Sequence, residues 1–310
     1  MIGYTLRRVL QMPIVLVVVA ALTFALVRLA PGGPFDAERR LAPEIERNLA
    51  RQCEVDAPIE AQLMRFLRGV VAAEVDGCTG YSLKYPGRTV REILVEAFPV
   101  SLHLGALALL FALVIGFLTG VLAALRQNSW VDRVAMTVSI VGISVPSFVL
   151  GPVLVLTFSL WLGWLPPALW AGPSTWILPG ITLGSAYAAY VSRLTRAGML
   201  EIVHEDFMRT ARAKGLPRRL VILRHGLRGG LLPLVTYLGP AASSLFTGSV
   251  VVEQIFGIPG LGRVFIESAL SRDYNVVLGC VLLYAAFLLA MNLVVDLIYG
   301  LLDPRVRIDQ

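Results

Sequence analysis

Long uncharged stretches alternate with short basic ones along this 310-residue chain, and that alternation predicts its elements. Val9 to Val27 carries no charge and follows Arg7 and Arg8. About twenty apolar residues suffice to cross a bilayer as a helix, so this run predicts a first span with its basic flank inside. Pro31, Gly32, Gly33 and Pro34 end it. Residues 35 to 97 are polar, with nine basic and eleven acidic side chains, and predict an external segment, because long loops translocate largely regardless of charge. Within it Ile59, Leu63, Phe66 and Leu67 recur at helical spacing and predict a small amphipathic helix. Phe98 to Leu125 predicts a second span, which exits at Arg126.

Residues 134 to 192 contain no Asp, Glu, Lys or Arg, too long a run for one helix. It predicts two crossings joined outside by a turn at Gly163, Pro166, Pro167, Gly172 and Pro173, with Trp161, Trp164, Trp170 and Trp176 at the interface. Arg193 and Arg196 end the fourth span inside. A fifth span runs from about Gly229 to Val252 and a sixth from Val276 to Val295, with a short interfacial helix at Val264 to Leu270 between them. The predicted class is an all-α polytopic membrane protein with six transmembrane helices and both termini cytoplasmic. Its parts are a cytoplasmic end and first helix (1–30), an external segment (31–97), a five-helix core (98–302) with a cytoplasmic loop at 193–228, and a tail (303–310).

Composition sharpens this picture: 56% of residues are hydrophobic and 15% charged, outside the range of ordinary soluble domains. The net charge of +6 would suit nucleic acid, but the basic residues border apolar runs, as the positive-inside rule requires, and no nucleic-acid module accompanies them. No small-residue cleavage site follows the first run before Pro31, which predicts a retained helix rather than a signal peptide. Cys280 lies in an apolar run and reads as a core residue; Cys53 and Cys78 lie in the external segment, where a disulfide can form or not. No phosphate-binding Gly-x-x-x-x-Gly-Lys-Ser/Thr pattern occurs, so ATP has no such site here. No cluster has metal-ligand spacing, and no nucleophile has a base beside it. His103, Glu253 and Asp296 are expected to be structural, the last two near span ends where water and headgroups reach. The scarcity of ionisable residues at mid-membrane argues against a proton-coupled secondary carrier or channel, the competing class.

The segment from Arg193 to Arg228 holds nine Lys/Arg against three Asp/Glu. With Asp206 as N-cap, a helix of roughly two turns is predicted before Gly215 and Pro217 stop it, with Phe207 and Ala211 on its apolar face. The run Asp206-Phe207-Met208-Arg209-Thr210-Ala211-Arg212-Ala213-Lys214-Gly215-Leu216, followed by Leu231-Leu232-Pro233, resembles the coupling loop of binding-protein-dependent ABC importers, in the oligopeptide/dipeptide permease branch. Arg209 stands where the wider superfamily has Glu. Arg28-Leu29-Ala30-Pro31-Gly32, Phe98-Pro99-Val100-Ser101, Val145-Pro146-Ser147-Phe148, the link Glu253 to Gly262, and Asp303-Pro304-Arg305-Val306-Arg307 extend the likeness across nearly the whole chain.

That resemblance implies the type I ABC importer permease fold in a bacterial inner membrane. It also implies a second related permease chain, two ATPase subunits that carry ATP and Mg, an external peptide-binding protein, and no cofactor in this chain. It further implies that Phe207, Arg209, Thr210, Ala211, Lys214, Gly215 and Leu216 meet an ATPase. Nickel and glutathione importers share the motifs and stand as alternatives for the substrate. Ser243, Ser244, Thr247 and Ser249 make the fifth span small and polar, which suits helix packing on one face and a peptide path on another.

Overall fold

The computed structural model describes residues 2–29, 57, 58, 61, 64, 80–85, 87–247 and 249–302. Cys53, Cys78, the tail at 303–310 and most of the expected helix around Leu63 lie outside the described residues. The chain forms two compact units, Met1–Ser101 with Pro259–Gln310, and Leu102–Ile258.

In the first unit, α1 (Ile2–Leu29) runs along the last helix, which we label α12 (Tyr274–Leu302). Ala20 and Phe24 pack on Leu278 and Leu282, and Arg8 pairs with Asp296 at 2.9 Å. The start of α2 (Val90–Leu125) packs with α11 (Leu261–Leu270) and α12 through Val90, Ile93, Ala97, Leu261, Val276 and Cys280. Cys280 is thus the core residue that its apolar setting predicts. Ser101 Oγ accepts the Leu261 N–H at 2.8 Å, satisfying one of the orphan donors at the start of α11. Asp273, fully buried in the turn before α12, accepts the Ser82 hydroxyl, the Lys84 N–H at 3.2 Å and the Val276 N–H at 3.4 Å. It thereby fastens residues 82–84 to the helix start.

The second unit is built around α5 (Pro173–Val203). Leading into it are α3 (Trp130–Ser144) and α4 (Ser147–Leu154), the latter continuing as a π-helical stretch to Trp161. The expected third span is therefore broken, with its halves bent by 111°. Proline's ring crowds the preceding residue out of the α region; Val145, before Pro146, accordingly sits at φ −82°, ψ 117°. After α5 come α6 (Asp206–Ala213), α7 (Arg218–Val221), a π-helical turn at Ile222–Gly226 and α8 (Leu227–Gly230). The expected fifth span is likewise divided, into α9 (Leu232–Phe246) and α10 (Val250–Phe256). Gly257 then turns the chain at φ 63°, the left-handed region that glycine enters freely.

Among the described residues, three helices are long and apolar enough to cross a membrane, at Arg7–Val27, Val90–Leu125 and Tyr274–Leu297, and up to five if each bent pair counts as one crossing. α5 falls outside this set because Gly, Ala, Ser, Thr and Tyr dilute its apolar character; its buried positions include Gly180, Gly184, Ala188, Ala189 and Ser192, and protein-facing positions in a membrane favour such small residues over Leu or Ile. A Cβ at Gly184 would stand 2.6 Å from the Ala108 carbonyl oxygen, and one at Gly116 or Gly120 2.5 Å from that of Ala188 or Ser192. The backbones of α2 and α5 therefore touch along this seam, and Thr119 Oγ donates across it to Ser192 Oγ at 3.0 Å.

Gly184→Leu is expected to destabilise the fold by about 1–3 kcal/mol, the usual cost of overpacking, and to lower the thermal midpoint in detergent. Gly180→Ala, whose added carbon meets Leu107 Cβ at an ordinary 3.5 Å, is expected to leave it unchanged.

Candidate functional site

The basic loop folds as its residues predict: eight residues of α6, stopped at Gly215 with φ 78°. Asp206 is the first helical residue, one step inside the expected cap. Side chains three apart share a helix face, and here that face holds Met208 and Ala211, packed on Val221, Ile202, Val203 and Leu216. The helix is therefore seated on the end of its own α5. Ala211 is 6% exposed and faces inward, whereas Phe207, about 100° around the helix from Met208, is 47% exposed at the rim. Phe207 and Ala211, four apart and about 40° around the helix, share the expected apolar face, but Ala211 is buried against its own chain and Phe207 is left exposed at the edge of that face. Leu216 is half-buried in the same internal cluster. Arg209, Thr210, Lys214 and Gly215 are exposed, with Leu220 and Leu223 adding apolar surface nearby. The Arg209–Asp206 ion pair, 3.5 Å long and open to water, contributes little.

The four hydroxyl residues of the fifth segment separate by role. Ser243 is buried, and Ser244, on the exposed side of α9, accepts the Tyr187 hydroxyl at 2.8 Å. Thr247 Oγ donates back to the Ser244 carbonyl at 2.8 Å, and Ser249 caps α10 by accepting the Val252 N–H at 3.2 Å. Joining the same two helices, α5 and α9, the rings of Tyr190 and Tyr237 lie 5.8 Å apart. Sequence reasoning missed these three tyrosines; Tyr187 and Tyr190, spaced three apart in a helix of small residues, were the available signal.

Glu253 differs from expectation. It stands near a span end yet is 0% exposed, and its carbonyl accepts the Ile258 N–H at 2.9 Å where the chain turns out of α10. His103 sits edge-on to Trp176 at 4.4 Å and Trp170 at 5.4 Å, so two of the four tryptophans pack inward while Trp161 and Trp164 stay exposed. Arg196, expected only to mark an inner span end, makes a two-pronged ion pair with Asp132, whose part the sequence reading did not include.

A helical chain with apolar spans, a glycine-seamed central helix and a short basic helix seated on that helix's end has the fold of ABC-transporter membrane chains. A chain of the MetNI methionine ABC transporter, in inward-facing conformations, superposes with TM-score 0.52 at 19% identity, covering 67% of this chain and 97% of that one. Residues 116–308 match the family of binding-protein-dependent transport system inner membrane components, and residues 1–105 its N-terminal membrane component. The oligopeptide transport system permease protein OppB of Salmonella typhimurium is 42% identical over 99% of this chain and all of its own length. The dipeptide transport system permease protein DppB of Bacillus subtilis is 39% identical over 99% of each. The chain belongs to the binding-protein-dependent transport system inner membrane component family.

Single cysteines at Arg209 and Met208 test the seating of α6. A membrane-impermeant maleimide added to inside-out vesicles is expected to label the first fully and the second at least ten-fold more slowly. Equal rates would mean that Met208 does not face inward.

Proposed function

We propose that this chain is the membrane permease subunit of an ATP-driven importer of short peptides in a bacterial inner membrane. The observation that carries the reading is the seating of α6. With Met208 and Ala211 turned into their own chain, Phe207, Arg209, Thr210 and Lys214 are left as an ordered outward surface, where the Arg209 and Thr210 side chains bond only back to Asp206 within α6. Peptides are the substrate class in the names of the 42% and 39% identical relatives, each matched over nearly its full length.

In this reading six spans place both termini and the α6 loop in the cytoplasm. α6 docks on one of two ATPase subunits, which bind ATP and Mg; this chain, lacking a phosphate-binding loop, hydrolyses nothing itself. A second, related permease supplies the other half of the path, and an external binding protein delivers the peptide. Gly215, Leu216 and Ala211 serve the docking by shaping and seating α6, while Phe207, Arg209, Thr210 and Lys214 make the contact. The Tyr187–Ser244 pair, with Tyr190, Tyr237 and Thr247 nearby, lines the path. Hydroxyl groups suit a peptide backbone, because they both donate and accept without fixing which side chains pass.

Cysteines at Phe207 and Thr210 are expected to cross-link to an ATPase subunit in the assembled transporter, with Met208→Cys as the silent control, and uptake of labelled peptides should stop when the ATPase genes are deleted. Uptake that persists without them rejects the proposal. Ser244→Trp is expected to slow uptake several-fold while the complex still assembles; unchanged uptake would remove Ser244 from the path.

A further inference from the structure

The charge-free run of residues 134 to 192 begins just after Asp132 and ends shortly before Arg196, and the fold brings these two side chains together. Arg196 Nε donates to Asp132 Oδ1 at 2.6 Å and Nη2 to Oδ2 at 2.8 Å, the fork-on-carboxylate geometry that fixes direction as well as distance. Oδ2 also accepts the Asn128 N–H at 2.9 Å, in a turn where Asn128 itself holds φ 61°. Ser129 caps α3 by accepting the Asp132 N–H at 3.4 Å. One carboxylate, 3% exposed as a residue, thus ties α5 to the start of α3 and to the turn that joins α3 to α2.

The position of Arg196 along α5 gives the pair its meaning. Six and seven residues further on, roughly 10 Å along the axis, Ile202 and Val203 form the seat of Met208 and Ala211. A push on α6 reaches α5 through that apolar seat; past the close contact of Gly198 and Met199 with Gly230, the side-chain tie from α5 to α3 is Arg196–Asp132. We propose that Asp132 and Arg196 are positioning residues for transport: a rigid strut that makes α3 and the α2–α3 turn move with α5 when α6 is displaced. A structural pair would only hold the fold together. A strut also sets how much transport each hydrolysed ATP yields.

This inference rests on the permease reading above. The test uses the complete transporter, two permeases and two ATPases with the external binding protein, reconstituted in proteoliposomes with a mixed pool of labelled peptides of two to five residues. Three variants are compared with the unmodified transporter: Asp132→Asn, Arg196→Lys, and the exchange Asp132→Arg with Arg196→Asp. Arg196→Lys keeps a cation opposite Asp132 and loses only the fork. For it and for Asp132→Asn the expected result is near-normal assembly and ATP hydrolysis, with peptides moved per ATP falling at least five-fold. The exchange is expected to restore at least half of the ratio. An unchanged ratio in Arg196→Lys and Asp132→Asn overturns the proposal, as does loss of assembled complex in Arg196→Lys, which would assign the pair to stability alone. Absence of ATP-dependent uptake in the unmodified transporter would instead sink the permease reading itself.

Discussion

Inside a bilayer, hiding apolar side chains from more hydrocarbon gains almost nothing, so what holds helices together is how closely their backbones approach. The contact of α2 with α5 through Gly116, Gly120 and Gly184 is that constraint here. It explains why α5 is poor in large aliphatic residues, why a hydroxyl pair such as Thr119–Ser192 can bridge the seam, and why α5 is fixed enough to carry both Arg196 and the seat of α6. The same logic recurs where Gly198 meets the Gly230 backbone and Gly105 the Leu245 carbonyl. Small residues recur where the second unit is tightest.

Much of the architecture was legible because lipid imposes a coarse rule, that a span must be long and uncharged. Val9 to Val27, Phe98 to Leu125 and Val276 to Val295 obey it and lie within helices. Gly215 and Pro217 marked the end of α6 because each has a local backbone reason to stop a helix. The breaks at Pro146 and after Phe246 were harder to read. Hydropathy does not distinguish a straight crossing from one bent by 111°, and proline is tolerated within many helices of this chain, α1 and α2 among them.

The candidate site was legible in its outline and not in its orientation. Residue order located α6 but left open which stripe would be seated, since Phe207, Met208 and Ala211 are all apolar; only the position of Ile202, Val203 and Val221 decides that Met208 and Ala211 turn inward. Pairings between distant residues were out of reach for a similar reason. Asp132 with Arg196, Tyr187 with Ser244, and buried Asp273 with Ser82 join positions 57 to 191 residues apart, and nothing local in either partner names the other. Glu253 was misjudged because depth along a span was taken as a measure of water access. Burial depends on the neighbouring helices too.

The seating of α6 on its own chain also bears on association energetics. A loop that orders only on contact gives up conformational entropy at that moment, and its affinity falls accordingly. Met208 and Ala211 have already incurred that loss during folding of the subunit, so any surface that receives Phe207 and Arg209 meets a preorganised ligand whose backbone has little left to lose.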